Sequence, residues 1–185
     1  MPREDLRKLV HVAFALGAFA IPWIGRGGGL ALAVAGLAHN LWLLPRYGFG
    51  RRLHRETPDR GRAGLILYPL AVALLFAAAP LPIAAATWVI IGVGDGFASI
   101  VGRRARRTLP WNRRKTWAGS FAFALAATAP AALVLLLVDP TRAVPHAFLT
   151  AAIGSVMGAI IETVPWRIDD NLAVAVAAAA AMWRV

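Results

Sequence analysis

Seven apolar runs occupy most of this 185-residue chain, and they restrict its fold more than any other feature. A helix that crosses a bilayer needs about 20 mostly apolar residues, within a range of roughly 17–25. The last run is short for a crossing, whereas the others have the required length. The predicted spans are 9–25, 28–44, 63–79, 81–101, 117–138, 145–161 and 171–184.

Turn signals separate several of these runs. Three consecutive glycines, at positions 27–29, divide the first run from the second. Pro80 and Pro82 bracket a single residue and predict a tight turn between the third and fourth runs. Asp139 and Pro140 interrupt the chain after the fifth run. We expect the first run to be retained as a span and not removed as a signal peptide, because no clear small-residue cleavage site follows it.

The composition excludes several classes of protein. Hydrophobic residues make up 59% of the chain and charged residues 16%, against about 45–50% and 25% in a soluble globular domain. Disorder is excluded as well, because it requires low hydrophobicity. The chain has no cysteine, so neither a disulfide framework nor a thiolate metal site can form. We therefore predict one all-α domain over residues 1–185, a polytopic integral membrane bundle of about seven transmembrane helices.

The basic residues predict how this bundle is oriented. The net charge is +11, and 17 of the 20 Lys and Arg fall on one side if the N-terminus is cytoplasmic. We interpret most of this charge as a topology signal and as contacts with anionic phospholipid headgroups, with no nucleic-acid partner. The expected location is the inner cell membrane. The predicted cytoplasmic segments are the N-terminus, 46–62, 102–116 and 162–170, which leaves Arg26, Arg142 and Arg184 on the other side.

A few polar residues lie in or beside the apolar runs, where ionisable groups are costly and are candidates for function. Asp95 lies inside the fourth run, about two turns from its cytoplasmic end. All the candidates lie in the cytoplasmic half of the predicted bundle. They are His11, His39, Asn40, Asp95, Glu162, Asp169, Asp170 and Asn171. Structural roles stay open for His11, His39 and Asn40 as interhelical hydrogen-bond partners, and for Asp169 as a helix cap.

The end of the 102–116 loop adds cations to the same layer. Arg113, Arg114 and Lys115 lead into a Thr-x-x-Gly-Ser segment, Thr116–Ser120, where the next helix is predicted to begin. Backbone N–H groups at a helix N-terminus attract anions, so Thr116, Gly119 and Ser120 predict a phosphate cradle. Carboxylates and a carboxamide suit Mg²⁺, which is usually held together with substrate phosphates. The predicted metal ligands are Asp95, Glu162, Asp170 and Asn171.

Five segments of the chain resemble, in order, those of the polyprenol kinase family. That family includes the CTP-dependent dolichol kinases, the phytol and farnesol kinases and the yeast-type diacylglycerol kinase. Gly94–Arg103 is similar to its Gly-Asp-x-x-Ala-x-x-x-Gly motif. The other resembling segments are Arg7–His11, Gly64–Pro69, Leu109–Ser120 and Glu162 with Ile168–Leu172. Position 118 is Ala, where relatives often carry Glu, and the chain matches the compact bacterial members in length.

This resemblance implies a kinase that uses Mg²⁺ and CTP to phosphorylate the hydroxyl of a membrane lipid alcohol. Its expected catalytic residues are Asp95, Lys115 and His11, with Arg113 and Arg114 also on the nucleotide. The residues leave open isoprenoid alcohol or diacylglycerol, and CTP or another nucleotide. Two rivals are a cytidylyltransferase that makes a CDP-lipid, whose C-terminal Pro-Gly-His-Gly-Gly signature is absent from 139–185, and a small transporter or scaffold without catalytic activity.

Overall fold

The computed structural model describes residues 3–46, 59–165 and 170–185, and the side chains of these residues except 3–7 and 59–63. Asp169 and residues 47–58 of the basic 46–62 loop therefore lie outside the described residues. In the described part, the regular structure is helical except for one isolated β-bridge between Thr108 and Thr116. This confirms the predicted all-α class.

The described part of the chain contains eight α-helices. They are α1 (Arg3–Ala15), α2 (Ile21–Ala38), α3 (Asp59–Ala78), α4 (Leu81–Val89), α5 (Asp95–Gly102), α6 (Trp117–Val138), α7 (Val144–Glu162) and α8 (Asn171–Trp183). Shorter helical turns extend some of them. A 3₁₀ turn at Leu16–Ala20 joins α1 to α2, and a π-helical turn at Ile90–Gly94 joins α4 to α5. The predicted boundaries at Pro80–Pro82 and at Asp139 both coincide with helix ends.

The helices fit a multi-pass membrane protein. Four described helical stretches are long and apolar enough to cross a bilayer, namely Lys8–Arg46, Leu81–Gly102, Trp117–Val138 and Val144–Glu162. Two shorter apolar helices, Gly64–Ala78 and Asn171–Trp183, cover the third and the last predicted spans. Seven separate spans are not established, because the first two predicted spans share one stretch and these two helices are short for a crossing.

The long first stretch is divided at Gly25 and not at the three glycines that follow it. Gly25 has φ 62° and ψ −167°, a positive-φ conformation that strains any other residue. Beyond this kink, Phe14 of α1 lies against Gly36 of α2, where an added Cβ would come 2.9 Å from the Phe14 Cζ atom. The two predicted spans therefore lie side by side, with the chain reversing at Gly25.

The Leu81–Gly102 stretch forms the centre of the bundle. Every residue from Ile83 to Gly96 is buried, with α1, α3, α6, α7 and α8 packed around them. The Trp88 ring packs edge-on against Phe14 at 5.1 Å and Phe76 at 5.7 Å. A polar side chain in this stretch is consequently surrounded by other helices and shielded from lipid.

Gly92 allows two neighbouring helices to approach this central stretch closely. A Cβ at Gly92 would lie 2.3 Å from the Cβ of Ala15 and 2.6 Å from the Tyr68 hydroxyl. Neither distance is possible between real atoms, so any side chain here would push α1 or α3 away. The absence of a side chain thus brings the polar start of α1 beside the part of the central stretch that carries Asp95.

Candidate active site

Asp95 begins α5, directly after the π-helical turn at Ile90–Gly94. Such a wider turn changes the direction in which the following side chains point, and it often occurs at functional sites. Asp95 is only 8% exposed. Its carboxylate accepts a hydrogen bond from the ammonium group of Lys8, which is itself buried in the middle of α1. The predicted acid therefore exists as one half of a buried ion pair.

His11 lies on the same face of α1 as Lys8, one turn further along. It is buried, and its ring packs edge-on against the ring of Tyr68 with a centroid separation of 4.4 Å. The Tyr68 hydroxyl also donates a hydrogen bond to the backbone carbonyl of His11 at 3.3 Å. Asn40 makes an interhelical bond, as proposed, by donating to the carbonyl of Leu65 at 2.7 Å.

Lys115 connects two acids that are distant in sequence. Its Nζ atom lies 2.5 Å from Oε1 of Glu162 and 3.0 Å from Oδ2 of Asp170. Glu162 is the last residue of α7 and is 3% exposed, whereas Asp170 immediately precedes α8. Asp170 occupies the N-cap position of α8, yet its side chain makes no cap hydrogen bond and instead contacts Lys115. The loop, α7 and α8 thus meet at one ammonium group.

The charges around Lys115 keep it protonated. Burial by itself would lower the pKa of Lys115, but the carboxylates of Glu162, Asp170 and Asp95 raise it, and the net shift is well above the usual range. The start of α6, which follows Lys115, also packs against α5, because an added Cβ at Gly119 would lie 2.9 Å from the carbonyl oxygen of Ala98, one turn after Asp95. The structure therefore brings the predicted residues Asp95, Lys115, Glu162 and Asp170 to one end of the bundle. Asn171, the fourth predicted ligand, is buried at the start of α8 in the same region.

The predicted phosphate cradle is a capped helix start. The Thr116 hydroxyl oxygen accepts a hydrogen bond from the Gly119 N–H at 3.1 Å, and the Ser120 hydroxyl donates to the Thr116 carbonyl at 3.3 Å. These two hydroxyl groups are thus engaged in shaping the turn. Arg113 and Arg114 are exposed beside it. Their contact with phosphate remains a prediction.

Two residues of this region were not assigned a role from the sequence. Lys8 belongs to the Arg-Lys-x-x-His segment, whose i, i+3 spacing with His11 was the available signal. Asn112 belongs to the Pro-Trp-Asn segment and is 9% exposed. Its side-chain amide donates to the carbonyl of Thr163 at 3.0 Å and accepts from the N–H of Arg114 at 3.2 Å. Asn112 therefore fastens the loop beside Glu162 and positions Lys115.

Replacing Asn112 by alanine should loosen this attachment. Removing a buried hydrogen-bonding group costs about 1–3 kcal/mol, so we expect the thermal unfolding temperature to fall by a few degrees. The rate of the phosphate transfer proposed below should fall by roughly 10- to 100-fold, because a displaced Lys115 would no longer be correctly oriented for the reaction. Thr141→Ala is the matched control, because it removes a 2.7 Å bond to Asp139 at an exposed position away from this site. Equal activity losses in the two variants would contradict a positioning role.

The oxygen atoms of the site suit a metal ion that takes its remaining ligands from phosphate groups. Within the described ranges, no three His, Asp or Glu side chains converge closely enough to hold a metal ion unaided. Glu162 and Asp170 nevertheless already contact the same cationic group. One or two carboxylates are what Mg²⁺ usually takes from a protein when substrate phosphates supply further ligands. The predicted ligand set remains a prediction.

Comparison with curated proteins finds distant relatives in plants. The chain is 30% identical over 140 residues to "Probable phytol kinase 2, chloroplastic" of Glycine max. It is 32% identical over 103 residues to "Probable phytol kinase, chloroplastic" of Zea mays, and 30% over 131 residues to the protein of that name from Triticum aestivum. These alignments cover 70%, 52% and 66% of this chain.

The same alignments cover 47%, 34% and 43% of the relatives. The chain thus spans less than half the length of the curated relatives it matches. No family model and no solved structure matches it.

Proposed function

Because this chain is a distant homologue of the plant phytol kinases, within the polyprenol kinase family, we propose that it is a membrane lipid kinase. It transfers the terminal phosphate of a nucleoside triphosphate, CTP, to the hydroxyl group of an isoprenoid alcohol. The observation that carries this proposal is the contact of Lys115 with both Glu162 and Asp170, next to the Lys8–Asp95 pair. Acids and cations from five parts of the chain lie there, namely α1, α5, the 102–116 loop, the end of α7 and the residue before α8; such charges suit phosphoryl transfer from a metal nucleotide.

Phosphoryl transfer depends mainly on positioning and on neutralising charge. The oxygen of the lipid alcohol attacks the γ-phosphorus, the bond from this phosphorus to the β–γ bridging oxygen breaks, and CDP leaves. The proton of the alcohol passes to a group of the same layer, either His11 or one of the carboxylates. Lys115 holds the phosphates, and Arg113 and Arg114 reach them from the exposed side of the loop.

The carboxylates of Asp95, Glu162 and Asp170, with Asn171, would hold Mg²⁺. The ion would supply positive charge against the β- and γ-phosphates. For Glu162 and Asp170 to accept it, the ammonium group of Lys115 has to leave its present position between them. The displaced ammonium group would then be free to contact the phosphates.

The site lies at the end of the bundle where the basic loop and the start of α1 meet, so we place it at the cytoplasmic surface. This arrangement lets the nucleotide bind from water while the lipid tail remains among the helices. Exposed apolar residues beside the site, such as Phe97 and Val10, would face the acyl region. We expect the hydroxyl group of the bound lipid to lie near Asp95.

The direct test is a transfer assay on detergent-purified protein with γ-labelled CTP or ATP. The acceptors are phytol, farnesol, a polyprenol and diacylglycerol, each assayed with and without Mg²⁺. We expect a labelled lipid monophosphate with CTP and an isoprenoid alcohol, and none without Mg²⁺. The Asp95→Asn variant, purified in the same way, is the control for a contaminating kinase.

Two outcomes would contradict this proposal. A CDP-lipid formed with release of pyrophosphate would identify a cytidylyltransferase. Absence of transfer from every nucleotide, together with lipid or ion flux in liposomes, would indicate a transporter.

A further inference from the structure

The chain contains only two lysines, Lys8 and Lys115, among its 20 basic residues. The remaining basic residues are all arginines, and they supply the charge of the loops. Both lysines contact carboxylates of the candidate site. The two positions are 107 residues apart and belong to different segments, so the use of lysine at both requires a reason specific to the site.

The chemistry of the two side chains supplies that reason. Arginine presents a rigid fork of donors that suits a fixed bidentate partner, whereas lysine is a compact point charge on a flexible stem. A compact ammonium group can leave a carboxylate and contact a phosphate oxygen with little rearrangement around it. Lysine is also a common phosphate ligand in nucleotide sites, where it acts as a point charge.

The Lys8–Asp95 pair is difficult to explain by stability alone. Both side chains are largely buried, at 9% and 12% exposure. Burying an ion pair costs so much desolvation that replacing it with apolar residues is often neutral or stabilising. Among the described residues, the ammonium groups of Lys8 and Lys115 pair with the three carboxylates of Asp95, Glu162 and Asp170. Bound phosphates would add further negative charge beside both ammonium groups.

We propose that Lys8 is a second phosphate-binding residue, which neutralises Asp95 while the site is empty and contacts the phosphates of the bound nucleotide. The phosphate chain then lies between Lys8 of α1 and Lys115 of the loop. This inference rests on the proposed function, because it presumes that a nucleoside triphosphate binds here. It extends that function to α1, which otherwise contributes His11.

The test separates nucleotide binding from the structural role of the ion pair. Asp95→Asn removes the charge that Lys8 balances, and Lys8→Met is then added to it. Binding of CTP is measured by calorimetry in detergent without Mg²⁺, because Asp95 is a proposed ligand of that ion, and thermal unfolding is recorded for every variant. Arg104→Gln in the Asp95→Asn background is the control, since Arg104 is an exposed cation in the 102–116 segment.

We expect Asp95→Asn/Lys8→Met to bind CTP about 10- to 100-fold more weakly than Asp95→Asn, the range for loss of a charge-assisted hydrogen bond. The control should stay within about twofold, and the double variant should unfold at a temperature no lower than Asp95→Asn, because no buried charge is left unpaired. An equal CTP affinity in Asp95→Asn and the double variant would overturn the proposed role of Lys8, but it would leave the proposed function unaffected. Absence of CTP binding and of transfer in the unmodified protein would overturn the proposed function, and this inference with it.

Discussion

Replacing Asp95 by asparagine should abolish measurable kinase turnover, with a loss of roughly 10³-fold or more. Removing a single group that stabilises charge in the transition state lowers the rate by a factor of this order. Asp95 is buried in the candidate site and paired with Lys8. Asparagine has the same shape and still offers an oxygen to Lys8, so the fold should persist. The measurements are the rate of lipid phosphate formation and the thermal unfolding temperature of the purified variant.

Loss of a charge partner should lower the unfolding temperature of this variant, because Lys8 then remains buried without a carboxylate. The control is Asp139→Asn, which alters a half-buried acid next to α6, outside the spans. The pKa of Asp139 is lowered by hydrogen bonds from Thr141 and by the charge of Arg142, yet Asp139 has no contact with the site. A near-normal kinase rate in Asp95→Asn would refute the assignment of Asp95. A similar loss in Asp139→Asn would show that the effect is not specific.

The sequence predicted the components of the site better than their contacts. Asp95, Glu162 and Asp170 were recognisable because ionisable groups beside apolar runs are costly. The pairing of Glu162 and Asp170 with Lys115, and of Asp95 with Lys8, depends on how the helices pack, and no local pattern encodes that packing. Lys8 was counted among the topology charges, since its partner Asp95 lies 87 residues further along the chain.

The helices themselves were predictable from the length of the apolar runs, and the predicted 117–138 span coincides with α6. The position of the first turn could not be predicted in the same way. Three glycines at 27–29 were the stronger local signal, but the chain reverses at Gly25, and the glycines that follow remain helical. At Gly29, an added Cβ would lie 2.7 Å from the Phe76 ring, so this glycine serves close packing against α3. A local signal cannot distinguish a glycine that turns the chain from one that accommodates a neighbour.

Replacing Lys115 by alanine should chiefly weaken nucleotide binding, with the KM for CTP raised about 10- to 100-fold. The variant loses the group that touches both Glu162 and Asp170, and those two carboxylates then repel each other. The measurement is the dependence of the initial rate on CTP concentration at saturating lipid. Lys115→Arg is the conservative comparison and should recover only part of the affinity, because a guanidinium fork does not replace a point charge.

The pH dependence of the unfolding temperature tests whether Lys115 stabilises the fold through its charge. The raised pKa of Lys115 means that its stabilising contribution is complete below the ordinary lysine pKa, near 10.4, and is lost only as the pH rises through the higher value of the folded protein. The difference in unfolding temperature between wild type and Lys115→Ala should therefore not decrease as the pH is raised from about 6 to 9. An unchanged KM for CTP would refute phosphate binding by Lys115. A difference in unfolding temperature that disappears within this pH range would refute the charge pairing, since Lys115 would then lose its proton far too early.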